Sequence, residues 1–318
     1  MTIEIETIEV VVRKREQQAD GIIALEFVDP TGKPLPAFEA GAHIDLFLGE
    51  ELVRQYSLCN DPADSSFYRV GILKDPDSRG GSIAAHENLH EGSSLTISAP
   101  RNLFPLESGD SHTLLIGGGI GITPMIAMAH ELDTAGKSFE LWYCGRTRSS
   151  AAFVEELACA GFADKVNFRF DDEERLDLDG LLKTTAADAH LYTCGPGGFM
   201  EWVMGTARNN QFTEDRIHKE FFQVEVDTSG DSFEVYAQNS DVTVTVGPEQ
   251  TIVDALAEAG VKIKVSCEQG TCGTCLCDVI EGTPDHRDVF LTEEEKEDND
   301  QILVCCSRAK SDRLVLDI

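Results

Sequence analysis

The chain has 318 residues, 42 % of them hydrophobic, which is enough for two or three globular domains. Its formal net charge of −31, from 57 acidic and 26 basic residues, argues against nucleic acid as a partner, because phosphate backbones require basic surfaces. The acidity fits either simple solubility or the steering of a basic partner. No apolar run reaches the roughly 20 residues of a membrane span, and the N-terminus lacks the pattern of a secretory signal, so we expect no membrane and a cytoplasmic location.

Residues 1–108 are predicted to form an antiparallel β-barrel. Short runs of alternating or β-branched residues are separated by Gly, Pro and Asp turns. The predicted strands include Ile3 to Val12, His43 to Leu48, Tyr68 to Leu73 and Leu95 to Ser98. One helix is expected inside this segment, capped by Ser82 and ended by Gly92.

Residues 109–222 alternate between strands and helices. Apolar strands such as HTLLIG, FELWYCG and HLYTCG are each followed by a helical segment. Because parallel strands need crossover connections, this alternation predicts an α/β domain with a parallel sheet and helices on both faces. A nucleotide-binding fold is the leading interpretation.

The polar segment 223–231 is predicted to be a linker, with a strand at Val224 to Val226 as the alternative. Residues 232–318 are predicted to form a compact third domain. It begins with two strands and a helix at Ile252 to Glu258. A strand at Lys262 to Val265 then leads into a cysteine-rich loop and terminal strands.

The cysteine-rich loop carries the strongest motif. Cys267, Cys272 and Cys275 have C-x4-C-x2-C spacing and Cys305 follows at a distance, which is the plant-type ligand spacing for a 2Fe-2S cluster. Glycines within the loop allow its backbone amides to turn toward the cluster sulfurs. A zinc site is the alternative, although structural zinc usually takes two close cysteine pairs.

Two turns in the α/β segment lead from a strand into a helix. The first contains Gly117, Gly119 and Gly121 and continues to Pro124, and such a turn brings amides and a helix N-terminus to a pyrophosphate. The second is Cys194-Gly195-Pro196, at the carboxyl edge of the sheet where α/β folds bind ligands. We expect Cys194 to face a nicotinamide; the alternatives are a tight structural turn and a packed cysteine.

The barrel segment has two candidate ligand-binding motifs. In Arg54-Gln55-Tyr56-Ser57 the arginine and the tyrosine are two apart on an extended strand, so one can contact a phosphate and the other a planar ring. The turn Arg79-Gly80-Gly81-Ser82, at a predicted helix start, offers a second anion site. A solvated strand face is the alternative for the first motif.

These motifs, in this order, resemble flavin reductases of the ferredoxin-NADP reductase superfamily, in particular the phthalate dioxygenase reductase and vanillate demethylase reductase family. The resemblance covers essentially the whole chain. It implies a multidomain protein with a flavin-binding β-barrel at 1–108, an NAD-binding α/β domain at 109–222, the linker at 223–231 and a β-grasp ferredoxin-like domain at 232–318.

The resemblance also implies site residues. It favours FMN over FAD as the flavin, Cys305 over Cys306 as the fourth cluster ligand, and Cys194 and Thr123 as candidate catalytic residues. The flavin contacts that it implies are Arg54, Gln55, Tyr56, Ser57, Gly71, Ile72, Leu73, Arg79, Gly80, Gly81, Ser82, Thr123 and Phe222.

Members of this family pass electrons from NADH through the flavin and the 2Fe-2S cluster to a Rieske-type terminal oxygenase, and the resemblance implies that function here. The preference for NADH is implied by the family resemblance and not by the residues themselves. Arg146 and Arg148, which follow the second strand of the α/β domain, could contact the 2′-phosphate of NADPH. Two other functions stay open: a reductase for another soluble one-electron acceptor, and a non-enzymatic redox sensor.

Overall fold

The computed structural model describes residues 6–49, 52–76, 80–224 and 226–318. The chain divides between Phe222 and Gln223 into two compact units. The larger unit contains the predicted barrel and the predicted α/β fold, and the smaller unit contains the cysteine-rich segment.

The first part of the larger unit is an antiparallel barrel with one short helix. Its elements are β1 (Thr7–Ala19), β2 (Ile22–Val28), β3 (Ala42–Phe47), β4 (Val53–Ser57), β5 (Tyr68–Leu73), α1 (Gly81–Asn88), β6 (Ser94–Ser98) and β7 (Arg101–Asn102). The strand order is β4-β3-β6-β1-β2-β5, and a bridge between Leu58 and Val70 joins the two edge strands. The predicted barrel is confirmed, although the first predicted strand began at residue 3, outside the described residues.

Strand β2 explains how the barrel attaches to the next layer. Ile23, Leu25 and Phe27 point into the barrel core, whereas Ile22 and Ala24 on the other face pack in a cluster with α/β residues. Because successive side chains of a strand point to opposite faces, a strand buried on both faces joins two cores. The barrel and the α/β fold therefore share a continuous apolar layer.

The second part of the larger unit is the predicted α/β fold. Its elements are β8 (Thr113–Gly118), α2 (Ile122–Thr134), β9 (Phe139–Gly145), α3 (Val154–Cys159), β10 (Val166–Phe170), α4 (Leu178–Thr184), β11 (His190–Cys194), α5 (Gly197–Asn209) and β12 (Ile217–Glu220). The sheet is parallel throughout, in the order β10-β9-β8-β11-β12. In the part of the chain that the structure describes, no helix has the length and apolarity needed to cross a membrane.

Helices cover both faces of this sheet. Helices α2 and α3 pack on the face that also contacts the barrel, and α4 and α5 pack on the other face. The register places Cys194 beside both Gly117 and Glu220. The carboxyl ends of β8, β11 and β12 therefore meet at one edge.

The smaller unit is a mixed five-stranded sheet with two helices. Its elements are β13 (Phe233–Ala237), β14 (Val242–Val246), α6 (Ile252–Glu258), β15 (Leu276–Glu281), β16 (Pro284–Asp285), α7 (Glu293–Asp298), β17 (Gln301–Leu303), β18 (Arg308–Ala309) and β19 (Arg313–Leu316). The main sheet has the order β14-β13-β19-β15-β17, with β13 parallel to β19 and the other pairs antiparallel.

The strand predicted at Lys262 to Val265 is wrong, because these residues form a loop. Ile263 and Val265 are half-buried against the core of the smaller unit, so their alternation reflects burial of a loop and not ladder pairing. The alternative strand at Val224 to Val226 includes residue 225, which lies outside the described residues, and residues 224 and 226 are not in a strand.

Two arginines hold residues 227–231, part of the predicted linker, against the smaller unit. Arg308 is only 2 % exposed. It donates four hydrogen bonds to backbone carbonyls, two within 227–231 and two near the start of α6, namely those of Thr228, Asp231, Gly247 and Gln250. Arg287 donates to the carbonyl of Ser229 at 2.7 Å and to the carboxylate of Asp285. This segment is therefore a strap bonded to the fold that follows it.

We expect Arg308→Lys to loosen the strap, because one ammonium cannot reproduce a planar guanidinium that serves four carbonyls. Hydrogen exchange of the backbone amides of residues 226–232, followed by mass spectrometry, should become at least about tenfold faster. Arg313→Lys is the control, since Arg313 is half-exposed and pairs with Glu234 at the surface. Equal exchange in the two variants would contradict this account of the strap.

Candidate functional site

The two strand-to-helix turns of the α/β fold pack directly against each other. A Cβ atom on Gly121 would lie 2.3 Å from the carbonyl oxygen of Cys194, and one on Gly195 would lie 3.1 Å from Cα of Gly118. Gly119 has a φ of +57°, which favours glycine. Since these glycines carry no side chains, backbone amides line this edge of the sheet.

The first turn fits a pyrophosphate. Helix α2 begins directly after it, and Gly121 at its N-cap provides no side-chain hydrogen bond. The first amides of a helix carry a partial positive charge and bind anions when left free. Gly117 lets strand β8 approach closely, since its Cβ would lie 3.0 Å from Cα of Ile122, and Pro124 is buried within the first turn of α2.

A phenylalanine that the sequence analysis did not select closes the gap between these turns. A Cβ atom on either Gly118 or Gly195 would lie 2.7 Å from the ring of Phe199. Phe199 is on the first turn of α5, for which Pro196 is the N-cap residue. The ring explains why both turns need glycine at these positions.

A serine of the barrel, a glutamate and a cysteine meet beside the second turn. Ser57 Oγ donates a hydrogen bond to Glu220 Oε2 at 3.0 Å. Cys194 is fully buried next to Glu220 in the register of β11 and β12. Burial, with a further contribution from Glu220, raises the pKa of the Cys194 thiol well above its usual value, so Cys194 is a neutral thiol and not a nucleophile.

Burial raises the pKa of Glu220 to about 7, although the hydrogen bond from Ser57 opposes the rise. This carboxyl group therefore changes charge near neutral pH. The sequence analysis selected the nearby Phe222 but not Glu220. The sequence signal for Glu220 was an acidic residue at the end of a strand. Only the strand order shows that this strand pairs with the strand that ends at Cys194.

Thr123 joins the α/β turn to the barrel. It is 1 % exposed, and its hydroxyl donates to the carbonyl of Ile120 at 3.0 Å. A Cβ atom on Gly71 of β5 would lie 2.9 Å from the methyl group of Thr123 and 3.0 Å from the ring of Phe153. Gly71 is therefore required for the close approach of the barrel strand to the start of α2.

The barrel also presents an anion site. A Cβ atom on Gly81 would lie 2.3 Å from Cγ of Arg54, so the arginine side chain crosses the start of α1. Gly80, the N-cap residue of α1, has a φ of +89° and provides no side-chain hydrogen bond to the helix. The buried Ser82 hydroxyl accepts from the amide of Asp75. Arg79, also predicted here, lies outside the described residues.

Not every predicted flavin contact shares this face. The amide group of Gln55 lies 3.1 Å from the buried His43 ring, on the side opposite Arg54 and Tyr56. The side chain of Ile72 lies in the barrel core, so only its backbone is available to a ligand.

The remaining predicted cofactor contacts differ in exposure. Leu73 is 41 % exposed at the end of β5. Phe222 packs on the apolar layer that includes Phe153. Burial raises the pKa of Tyr56, so its phenol stays protonated. Arg146 is exposed just after β9.

The four predicted cluster cysteines form two pairs. Cys267 neighbours Cys272 and Cys305 neighbours Cys275, and these neighbouring thiols together with burial raise the pKa of Cys272 and of Cys275. Within the described residues no group of three His, Cys, Asp or Glu side chains could hold one metal ion. Two pairs fit a dinuclear cluster, in which each iron takes two protein thiolates, better than one zinc ion with four ligands.

The backbone of the loop is shaped around these thiols. The amides of Gln269 and Thr271 both donate to Sγ of Cys267 at 3.4 Å. Gly270 and Gly273 have φ values of +69° and +72°. Added Cβ atoms there would lie 2.5 Å from Sγ of Cys306 and 2.4 Å from the ring of Phe290. The loop is thus closely packed on its outer side and directs amides to sulfur on its inner side.

The two other cysteines of this unit have packing roles. Cys306 is 1 % exposed and lies against Gly270, with its thiol 3.7 Å from the carbonyl of Leu303. Cys277 lies on β15, with its thiol 3.8 Å from the carbonyl of Ile302. Neither thiol is paired with another cysteine among the contacts of the described residues.

Comparison with known proteins identifies the family of the chain. Residues 235–310 match the family model of the 2Fe-2S iron-sulfur cluster binding domain. The chain is 50 % identical over 316 residues to vanillate O-demethylase oxidoreductase of Pseudomonas sp. (strain HR199 / DSM 7063), covering 98 % of this chain and 100 % of that protein.

Two solved structures are similar to nearly the whole chain. Phthalate dioxygenase reductase, described as a modular structure for electron transfer from pyridine nucleotides to 2Fe-2S, matches with a TM-score of 0.76 and 34 % identity over 98 % of both chains. An intact type IV self-sufficient cytochrome P450 monooxygenase matches with a TM-score of 0.85 and 36 % identity. The match covers 98 % of this chain but only 41 % of that one.

The adjacent cysteines 305 and 306 provide a matched test of the cluster ligands. We expect Cys305→Ser to lose most of the iron and the visible absorbance of the cluster, because Cys275 would lose its partner. Cys306→Ser should keep both, since that thiol packs on Gly270 and has no cysteine partner. Iron and sulfide analysis of the purified variants checks this, and the reverse pattern would assign ligation to Cys306.

Proposed function

The chain belongs to the family of vanillate O-demethylase oxidoreductases and phthalate dioxygenase reductase, and on that premise we propose that it is the NADH-dependent reductase component of a Rieske-type oxygenase system. It passes electrons from NADH through FMN and its own 2Fe-2S cluster to a separate terminal oxygenase, an aromatic O-demethylase or a related monooxygenase. The observation that carries the proposal is the contact of Ser57, from the barrel, with Glu220 beside Cys194 at the edge of the nucleotide fold.

The candidate sites in the barrel, in the α/β fold and in the cysteine-rich loop fit FMN, NADH and a 2Fe-2S cluster, respectively. A bound flavin would supply the conversion between two-electron and one-electron chemistry, and the cluster would supply one-electron transfer. We assign residues 1–108 to the flavin barrel, 109–222 to the NAD domain, 223–231 to the linker and 232–318 to the 2Fe-2S domain. We also propose a cytoplasmic location for the protein.

In the proposed flavin site, Arg54 and the backbone amides at the start of α1 bind the phosphate of FMN, which is the reason for the close packing of Arg54 on Gly81. Tyr56, two residues along the same strand face, lies against the planar ring system. Thr123 and Gly71 bring the barrel and the nucleotide fold together where the ring system and the nicotinamide must meet.

In the proposed nicotinamide site, the turn from Gly117 to Gly121 binds the pyrophosphate through its backbone amides. Cys194 presents a neutral thiol to the ring and excludes water, because it is fully buried. Glu220 holds a proton at its carboxyl group below about pH 7 and presents a carboxylate above it, while Ser57 stabilises the charged form. In the cluster site we assign the ligands as Cys267 and Cys272 on one iron, and Cys275 and Cys305 on the other.

An anaerobic titration with NADH tests the function. We expect bleaching of the flavin absorbance and a rhombic low-temperature paramagnetic resonance signal from the reduced cluster. Bleaching without that signal would contradict the cluster assignment, and no bleaching would favour the non-enzymatic redox sensor. Turnover with a cognate oxygenase separates the proposal from the reductase for another soluble acceptor.

The charge of Glu220 predicts a pH dependence. Hydride loss leaves a positive nicotinamide, which a nearby carboxylate stabilises, so the rate of flavin bleaching by NADH should rise as pH increases through about 7. Ser57→Ala should move the inflection to higher pH, because the carboxylate loses its donor, and Glu220→Gln should abolish it. Stopped-flow traces between pH 6 and 8.5 check this, with Glu201→Gln as the exposed carboxylate control. An inflection retained in Glu220→Gln would refute the assignment.

The acidity of the chain predicts a salt dependence. Helix α7 presents exposed glutamates in the smaller unit, and the whole chain carries a formal net charge of −31. If the oxygenase docks through complementary basic residues, its reduction should slow several-fold as ionic strength rises, because steering is screened. Turnover with an uncharged quinone is the control and should change little. An equal salt response of both acceptors would exclude steering.

A further inference from the structure

We propose that Glu173 makes the chain selective for NADH over NADPH, because it binds the guanidinium of Arg148 at the place where the 2′-phosphate of NADPH would lie. The inference rests on the proposed nicotinamide site. It assigns the nucleotide preference to one ion pair at the surface of the α/β fold.

The direction in which the dinucleotide crosses the sheet follows from the proposed nicotinamide site at the carboxyl ends of β8, β11 and β12. Ser57, Cys194 and Glu220 place the nicotinamide on the β11 and β12 side of the pyrophosphate turn. The adenosine half must then extend to the opposite side, over the carboxyl ends of β9 and β10. Doubly wound folds bind the adenosine ribose at the end of the second strand, which here is β9.

The chain after β9 and the chain after β10 meet at that place. The amide of Asp171, just past β10, donates to the carbonyl of Gly145, the last residue of β9, at 3.0 Å. Arg148 follows β9 and Glu173 follows β10. The two charged side chains therefore come from the two strand ends over which the adenosine ribose is expected.

Arg148 is held by Glu173 in a two-point contact. Its Nε donates to Oε1 at 3.0 Å and its Nη2 donates to Oε2 at 2.9 Å. The guanidinium also lies over the rings of Phe168 and Phe170, 5.2 Å and 4.9 Å from their centroids. This pairing lowers the pKa of Glu173, so the carboxylate is charged at every physiological pH. A planar cation held in this way has its charge neutralised and its Nε and Nη2 donors occupied by the carboxylate, which weakens its attraction for a phosphate.

The electrostatic result favours the nucleotide without the 2′-phosphate. Asp172, exposed and next to Glu173, adds a negative charge near the pair. A 2′-phosphate would meet a neutralised arginine and extra carboxylates, whereas the 2′-hydroxyl of NADH carries no charge to repel. Loss of the carboxylate at position 173 would free Arg148 to bind the phosphate.

The test compares four forms of the holoprotein with NADH and NADPH, using ferricyanide as the electron acceptor. We expect Glu173→Gln to raise the ratio of kcat/KM for NADPH to that for NADH about tenfold. Arg148→Gln should lower the ratio, because Glu173 is left unpaired and repels the phosphate. The double variant should return close to the wild-type ratio, since the two effects act through one contact.

A matched control and a binding measurement distinguish an effect of this ion pair from an effect of the changed net charge. Glu214→Gln breaks a similar pair, in which Arg208 donates at 2.6 Å and 3.1 Å on the other side of the sheet, and it should leave the ratio unchanged. In calorimetric titrations, Glu173→Gln should bind 2′,5′-ADP about tenfold more tightly and 5′-AMP no differently.

An unchanged nucleotide ratio together with unchanged 2′,5′-ADP affinity in Glu173→Gln would overturn the proposal, as would an equal shift in Glu214→Gln. A wild-type protein that oxidises neither nucleotide would instead refute the proposed function. The two failures are therefore distinguishable.

Discussion

The close packing of two backbone turns is the constraint on which the larger unit depends. Gly121 lies against the carbonyl of Cys194, and no residue with a Cβ atom fits there without moving one of the turns. This contact aligns the ends of three parallel strands and leaves amides at the start of α2 without side-chain partners. The register of β11 and β12 places Cys194 beside Glu220, so the proposed anion site and the proton-holding group lie at the same edge of the sheet.

A second constraint operates at the boundary between the barrel and the α/β fold. The glycine at position 71 allows β5 to reach Thr123, and Ser57 reaches Glu220 from β4. A carboxyl group with a pKa near 7 is unusual for glutamate, and it results from burial that the single serine hydroxyl offsets only in part. Groups tuned toward neutral pH are typical of functional sites, and here the tuning requires residues from both folds.

Much of this architecture could be predicted from the sequence, because it is encoded in local patterns. The alternation of strands and helices predicted the parallel sheet, and the cysteine spacing predicted the cluster loop. Glu220 and Glu173 could not be recognised in the same way, since each acquires its role from a neighbouring strand that is distant in sequence. The strand predicted at Lys262 to Val265 failed for the converse reason: its alternation is real, but a loop can bury Ile263 and Val265 without ladder hydrogen bonds.

The strap of residues 227–231 has a consequence for dividing the protein into fragments. Arg308 and Arg287 are far along the chain from the strap, yet three of their hydrogen bonds end on its carbonyls. The functional start of the cluster-bearing module therefore lies before its first strand. A fragment beginning at residue 223 would carry all the acceptors of its own arginines, whereas one trimmed to Phe233 would leave Arg308 only the carbonyls of Gly247 and Gln250, and Arg287 only the carboxylate of Asp285.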